Sequence, residues 1–250
     1  DRQSEPELKE NIIKMHKRER NYPFNNEIEN SKYCINQVKL NYPYLNNLYA
    51  EIAKYYSVRS NEIIITAGCD IALRTIYESL SDLDFLFLPN SCYAMNFIYK
   101  KIYHPKASQI DYEFNDKGLI NSKQLLDSIS SKDGLKMLVL ESPSGFTGQD
   151  INKEEFEEIL KFCEKNNIIL VVDETYLETR FFKWTAKEYI EYENLIILRS
   201  FSKAYGLAGL RAGLIISNHK NISVLRSLLP MHEVTSFTND LLLNILRDKS

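Results

Sequence analysis

Glycine is scarce in this sequence, with eight in 250 residues, and there are one tryptophan, four cysteines and four histidines. The cysteines, at positions 34, 69, 92 and 163, form no CxxC pair, and the histidines, at 16, 104, 219 and 232, are scattered. Neither a disulfide framework nor a zinc site is indicated, and reduced, mostly buried thiols are expected. No uninterrupted apolar run approaches the length of a membrane span, and the charged opening Asp1-Arg-Gln-Ser-Glu5 does not read as a secretory signal. A net charge of −3 supplies no basic field for nucleic acid or an anionic membrane. These absences leave a cytoplasmic globular protein, 44% hydrophobic and 26% charged, long enough to bury one large core.

Where glycine is rare, its placement is informative. Three of the eight, Gly206, Gly209 and Gly213, fall within the fifteen residues Arg199-Ser-Phe-Ser-Lys-Ala-Tyr-Gly-Leu-Ala-Gly-Leu-Arg-Ala-Gly213. The stretch follows Asn194-Leu-Ile-Ile-Leu198 and leads into Leu214-Ile-Ile-Ser217, two apolar runs short enough to be buried strands. It therefore reads as a loop between core strands. Two hydroxyls (Ser200, Ser202), an amine (Lys203) and a guanidinium (Arg211) share it with backbone that can approach a ligand closely, an inventory suited to a phosphate beside a reactive amine. For a lone lysine, a solvated loop position and a surface ion pair for the arginine would be the plain alternative.

Gly68 lies in a second loop. Glu62-Ile-Ile-Ile-Thr66 reads as a strand, Ala67-Gly-Cys-Asp70 as a turn, and a helix follows through Ile71, Thr75, Ile76 and Ser79. Such a turn points unpaired amides at an anion; the Asp70 side chain reads as a helix cap. Further strands are expected at Phe85–Leu88, Lys136–Leu140 and Ile168–Val172. Helices are expected over 47–57, 121–130, 153–166, 222–229 and 239–247, and one near the N-terminus built on Leu8, Ile12 and Met15. Alternating buried strands and helices predict a three-layer α/β/α domain with a mainly parallel sheet. Asp173-Glu-Thr-Tyr176 follows the most apolar strand at its C-terminal end, where ligands sit in open α/β sheets.

Ser200-Phe-Ser-Lys-Ala-Tyr-Gly-Leu-Ala-Gly-Leu-Arg211 resembles the cofactor-lysine segment of the fold-type I, pyridoxal-phosphate-dependent aminotransferases, most closely the histidinol-phosphate aminotransferase-like branch. The resemblance implies that Lys203 forms the Schiff base with pyridoxal 5'-phosphate, that Ser200 and Arg211 hold its phosphate, and that Ser202 lies nearby. It places Cys69 and Asp70 at the phosphate by their amides, Tyr93 as the ring stacked on the pyridine, Asp173 at the ring nitrogen and Tyr176 at the phenolic oxygen. Tyr42, in Asn41-Tyr-Pro-Tyr44, resembles the tyrosine that reaches the phosphate of a second subunit; packing roles for Tyr42 and Tyr93 stay open. The family usually carries Asn-Pro-Thr-Gly where this chain has Gly145-Phe-Thr-Gly148, so one donor to the phenolic oxygen is missing.

The resemblance covers roughly residues 40 to 250. It implies an N-terminal arm (1–40), a cofactor-binding large domain (41–250), and a homodimer with shared active sites acting on amino acids and 2-oxo acids. Family members continue with a smaller domain that carries the arginine for the substrate carboxylate, and no counterpart is expected within these residues. Transamination is the first expectation. Decarboxylation on the same cofactor and a non-catalytic scaffold are the alternatives.

Overall fold

A computed structural model describes residues 42–113, 120–179 and 185–248 of the protein. The arm of residues 1–40, its expected helix and the turn expected at 115–118 lie outside the described residues. Seven strands form one sheet: β1 (Ile63–Thr66), β2 (Phe85–Pro89), β3 (Ser108–Tyr112), β4 (Lys136–Glu141), β5 (Ile169–Asp173), β6 (Leu195–Ser200) and β7 (Gly213–Ser217). Their order is β1-β7-β6-β5-β4-β2-β3. β7 runs antiparallel to both β1 and β6, and every other pairing is parallel. The sheet is therefore mainly parallel, as expected.

Among the described residues seven α-helices cover it: α1 (Asn46–Tyr56), α2 (Cys69–Ser79), α3 (Met95–Tyr103), α4 (Ser122–Ser130), α5 (Lys153–Lys165), α6 (His219–Arg226) and α7 (Ser236–Asp248). α2, α3 and α6 bury Leu73, Ile76, Tyr99, Ile222 and Leu225 against one face. α1, α4, α5 and α7 bury Leu48, Ile52, Leu125, Phe156 and Leu242 against the other. Because both faces are covered, β1, β6 and β7 are buried throughout, and each carries a run of apolar residues, which in β6 ends before Arg199 and Ser200. β3, at the edge, is Ser-Gln-Ile-Asp-Tyr, polar enough to discourage further pairing.

Helix ends follow their caps. Asn152 accepts from the Glu155 amide at the start of α5, whose first turn carries Glu154 and Glu155 and whose last carries Lys165, all suited to the helix dipole. α6 begins three residues before the expected position, because Asn218 accepts from the amides of Lys220 and Asn221 and fixes the first turn there. Strand directions bring the C-terminal ends of β1, β2, β4, β5 and β6, and the start of β7, to a single edge of the sheet.

Candidate active site

Apart from the Tyr42 segment, the sequence motifs are delivered to that edge by the strands. β1 turns at Gly68 into α2, and Gly68 takes φ +88°, a conformation that favours glycine. A Cβ at Gly68 would lie 2.6 Å from Arg211 Nη2, and one at Gly213 would lie 2.6 Å from both the Cys69 amide nitrogen and the Gly68 carbonyl carbon. The α2 N-terminus, the Arg211 guanidinium and the start of β7 thus close on one another to a distance that side chains would prevent. The amides of Cys69, Asp70 and Ile71 form the first turn of α2 and have no acceptor within the helix, whose first bond runs from Ala72 to Gly68.

Asp70 departs from the capping role expected of it. Gly68 occupies the N-cap position, so Asp70 sits one residue into the helix and turns its carboxylate to two neighbours. Arg211 Nη2 donates to Oδ2 at 3.0 Å, and the Tyr93 hydroxyl donates to Oδ1 at 2.5 Å. Asp70 therefore links Tyr93, beyond β2, to Arg211, before β7. The Tyr93 backbone amide donates at 2.6 Å to Glu141, which ends β4 on the same sheet face as Asp173.

At the end of β5, Asp173 Oδ1 accepts from the Thr175 amide at 2.9 Å. Burial raises the Asp173 carboxyl above the usual carboxylate range; bonds from Thr175 lower it, the Glu174 charge raises it, and Lys203 lowers it. Beside it, Cys69 donates to the Arg199 carbonyl at 2.9 Å and lies against Thr175 and Ser200; burial and the Asp173 charge push its thiol up to about 12. Cys69 is therefore a neutral side chain at neutral pH.

The lysine loop is held by its own aromatic residues. Phe201 and Tyr205 are buried in the core 5.1 Å apart, and the Leu207 amide closes the loop onto the Phe201 carbonyl at 3.1 Å. Lys203 is left only partly buried, its Nζ 5.8 Å from the centre of the Tyr176 ring. Ser200 and Ser202 are buried, and Ser200 Oγ accepts from the Ser202 amide at 3.1 Å. Arg211 follows a short helical turn in a left-handed conformation, φ +51°.

One edge thus gathers Cys69, Asp70, Tyr93, Asp173, Tyr176, Ser200, Ser202, Lys203 and Arg211. Tyr42 is placed elsewhere in its own chain, 80% exposed and stacked on His232 with ring centres 4.4 Å apart. The β4–α5 loop, where Gly145 stands, is held by Ser144. Ser144 Oγ accepts from the amides of Phe146 and Thr147, and the Gly148 amide bonds the Ser144 carbonyl, so this serine organises its own turn. Sequence reasoning missed Glu141, Glu174 and Arg199. Their signal is a charged residue at or next to the end of an apolar strand, a position that must be matched by a partner when it is buried.

The family model "Aminotransferase class I and II" matches residues 35–250. The chain belongs to the class I and II aminotransferases. It is 31% identical over 207 residues to the histidinol-phosphate aminotransferase of Caldanaerobacter subterraneus subsp. tengcongensis, covering 82% of this chain and 57% of that protein. It is 30% identical over 226 residues to that of Francisella philomiragia, covering 86% and 62%. The fold matches the histidinol-phosphate aminotransferase of Sinorhizobium meliloti in complex with pyridoxal-5'-phosphate at a TM-score of 0.76, with 20% identity, over 89% of this chain and 59% of that one. The chain spans less than two thirds of the length of each of these relatives. The aminotransferase fold expected from the lysine segment is therefore present, in a mixed, mostly parallel sheet of seven strands.

Proposed function

We propose that this chain forms the cofactor-binding part of a pyridoxal-phosphate-dependent aminotransferase that moves an amino group between an amino acid, or amino-phosphate compound, and a 2-oxo acid. The observation that carries the reading is the convergence of Lys203, Asp173 and Arg211 on one sheet edge, around glycine backbone with no room for a Cβ. The residues fit the group at both ends. For the phosphate there are the first-turn amides of α2, the hydroxyls of Ser200 and Ser202, and the Arg211 guanidinium, a donor set suited to a dianion. For the ring nitrogen there is a carboxylate held above its ordinary range by burial, which a cation would relieve.

Pyridoxal phosphate, when bound, supplies an aldehyde that condenses with amines and a cationic ring that takes up electrons released at a substrate's α-carbon. The chain's residues supply the rest. Lys203 would be the amine that binds the aldehyde carbon, and its free amine could take and return the proton at a substrate α-carbon. Asp173 would keep a proton on the ring nitrogen. Tyr176, beside Lys203, would donate to the phenolic oxygen, to which Gly145 offers no side chain. Tyr93, its amide fixed by Glu141 and its hydroxyl by Asp70, would offer its ring to the pyridine. Tyr42, exposed in its own protomer, serves the phosphate of a second subunit in a homodimer. The free thiols of Cys69, Cys92 and Cys163 suit a reducing cytoplasm. Among the described residues no helix is long and apolar enough to cross a membrane.

Product analysis tests the reaction. With pyridoxal phosphate and a panel of amino acids, transamination yields pyridoxamine phosphate and a 2-oxo acid in equal amounts. Release of carbon dioxide and an amine instead would replace this reading with decarboxylation, and neither product set would leave the chain without the proposed chemistry.

A further inference from the structure

On the face of the sheet opposite Asp173 and Ser200 lies an ion pair that the proposed chemistry does not use. Glu174 is fully buried and Arg199 is 3% exposed. Arg199 Nε and Nη2 donate to Glu174 Oε2 at 3.0 and 2.8 Å, and Nη2 also donates to Thr185 Oγ1 at 2.8 Å. The other carboxylate oxygen, Oε1, accepts from the Ala186 amide at 2.9 Å. The guanidinium carbon lies 4.6 Å from the centre of the Tyr56 ring. Burial alone would lower the Arg199 guanidinium, but Glu174, Tyr56 and Glu178 offset this and hold it above its ordinary value.

A buried pair is a poor device for stability alone, since apolar side chains of similar volume serve as well. Its position in the chain is more telling. Glu174 immediately follows Asp173 and Arg199 immediately precedes Ser200, so side-chain alternation sends the pair to one face and the two site residues to the other. The chain leaves the sheet at Glu174, passes through Tyr176, and is held again at Thr185 and Ala186. Arg199 grips the first of these points and Thr185 directly, and Ala186 through the second oxygen of Glu174. The planar, multi-donor fork of arginine can make these bonds together, which the compact ammonium of lysine cannot.

We propose that Arg199 and Glu174 are positioning residues for the site: from behind the sheet they fix the end of β5 and the segment carrying Tyr176 against the end of β6, which sets Asp173 and Tyr176 opposite Ser200 and Lys203. The inference rests on the reading of this edge as a pyridoxal phosphate site.

The test is a titration of the purified protein with pyridoxal phosphate, read as absorbance and as the rate of borohydride labelling of Lys203, alongside the unfolding midpoint. Glu174→Gln keeps the shape of the side chain but removes its charge. It is expected to weaken affinity about tenfold, the lower end of the scale on which supporting-partner substitutions act, and to slow labelling of the bound fraction. Thr185→Val, which removes the far anchor together with the cap that Oγ1 gives the Lys187 amide, should show a smaller loss in the same direction, and Thr185→Ser, which keeps both bonds, should match the parent. A Glu174→Gln protein that melts earlier yet binds and labels as the parent does would overturn the inference and leave the pair a structural one. If Glu174→Gln does not fold, the threonine variants decide: Thr185→Val indistinguishable from Thr185→Ser overturns it. Failure of the parent itself to bind would instead remove the reading of the site, and this inference with it.

Discussion

Asp173 and Glu174 are neighbours in the chain and opposites in their surroundings. Glu174 turns to the face lined by α1 and meets a complete set of partners, with Arg199 on one oxygen and the Ala186 amide on the other. Asp173 turns to the face lined by α2, where the Thr175 amide is a neutral donor and the Lys203 charge lowers its carboxyl less than burial raises it. Burial wins there, and the carboxyl is held above its ordinary range. The difference separates structure from function at a single strand end. A buried charge compensated within the chain fixes geometry, whereas one left under-compensated calls for a cation from outside.

The largest effect should come from breaking the compensated side. Glu174→Ala leaves Arg199 buried without its counter-charge and is expected to cost about 3–5 kcal/mol in urea unfolding. The double variant Glu174→Leu with Arg199→Met should recover most of that loss, because both charges leave together. Next comes the wall of the cradle on the other face. Gly213→Ala drives a methyl group into the Gly68–Cys69 peptide, which is backbone and cannot swing aside, and should cost about 1–3 kcal/mol while weakening the binding of phosphate-bearing ligands.

Asp173→Asn sharpens the contrast through its sign. The folded-state value of Asp173 lies above the unfolded one, so between the two the folded protein holds a proton that the unfolded chain has lost. Stability is therefore withdrawn as pH rises from the ordinary aspartate range through the raised value, and the loss is complete above it. Asparagine keeps the bond from Thr175 and removes the charge. The variant should be more stable than the cofactor-free parent at neutral pH, with a flatter dependence of the urea midpoint on pH, while losing pyridoxal phosphate affinity. The smallest effect on folding belongs to the solvent-facing pair: Asp70→Asn should change unfolding free energy by less than about 1 kcal/mol. It should still tighten binding of inorganic phosphate in a calorimetric titration, because it removes a negative charge from Arg211 and from the mouth of the cradle.

The two faces also differ in how readily the sequence discloses them. Lys203, Asp173, Tyr176 and Arg211 sit in short runs whose spacing is set by local turns, so the motif is visible without any tertiary contact. The buried strands and most helices are visible for a similar reason, since two-sided burial gives β1, β6 and β7 a continuous apolar stretch before or between their polar ends and caps mark helix starts. Glu174 and Arg199 are 25 positions apart and meet only because β5 and β6 are adjacent and parallel. Asp70 is ambiguous in the same way. A carboxylate after a glycine turn reads as a cap, and only the arrival of Tyr93 and Arg211 from distant strands gives it another role. The role proposed for Tyr42 depends on a second subunit, and a single sequence carries little information on such a contact.

The most direct measurement is to add pyridoxal phosphate to the purified protein, reduce with borohydride and locate the modified peptide by mass spectrometry. A visible absorbance band abolished by reduction, with stoichiometric label on Lys203 and none in Lys203→Ala, is the result predicted for this edge. No band and no label at Lys203, or a label spread over surface lysines that persists in Lys203→Ala, would contradict the assignment of the edge as a cofactor site.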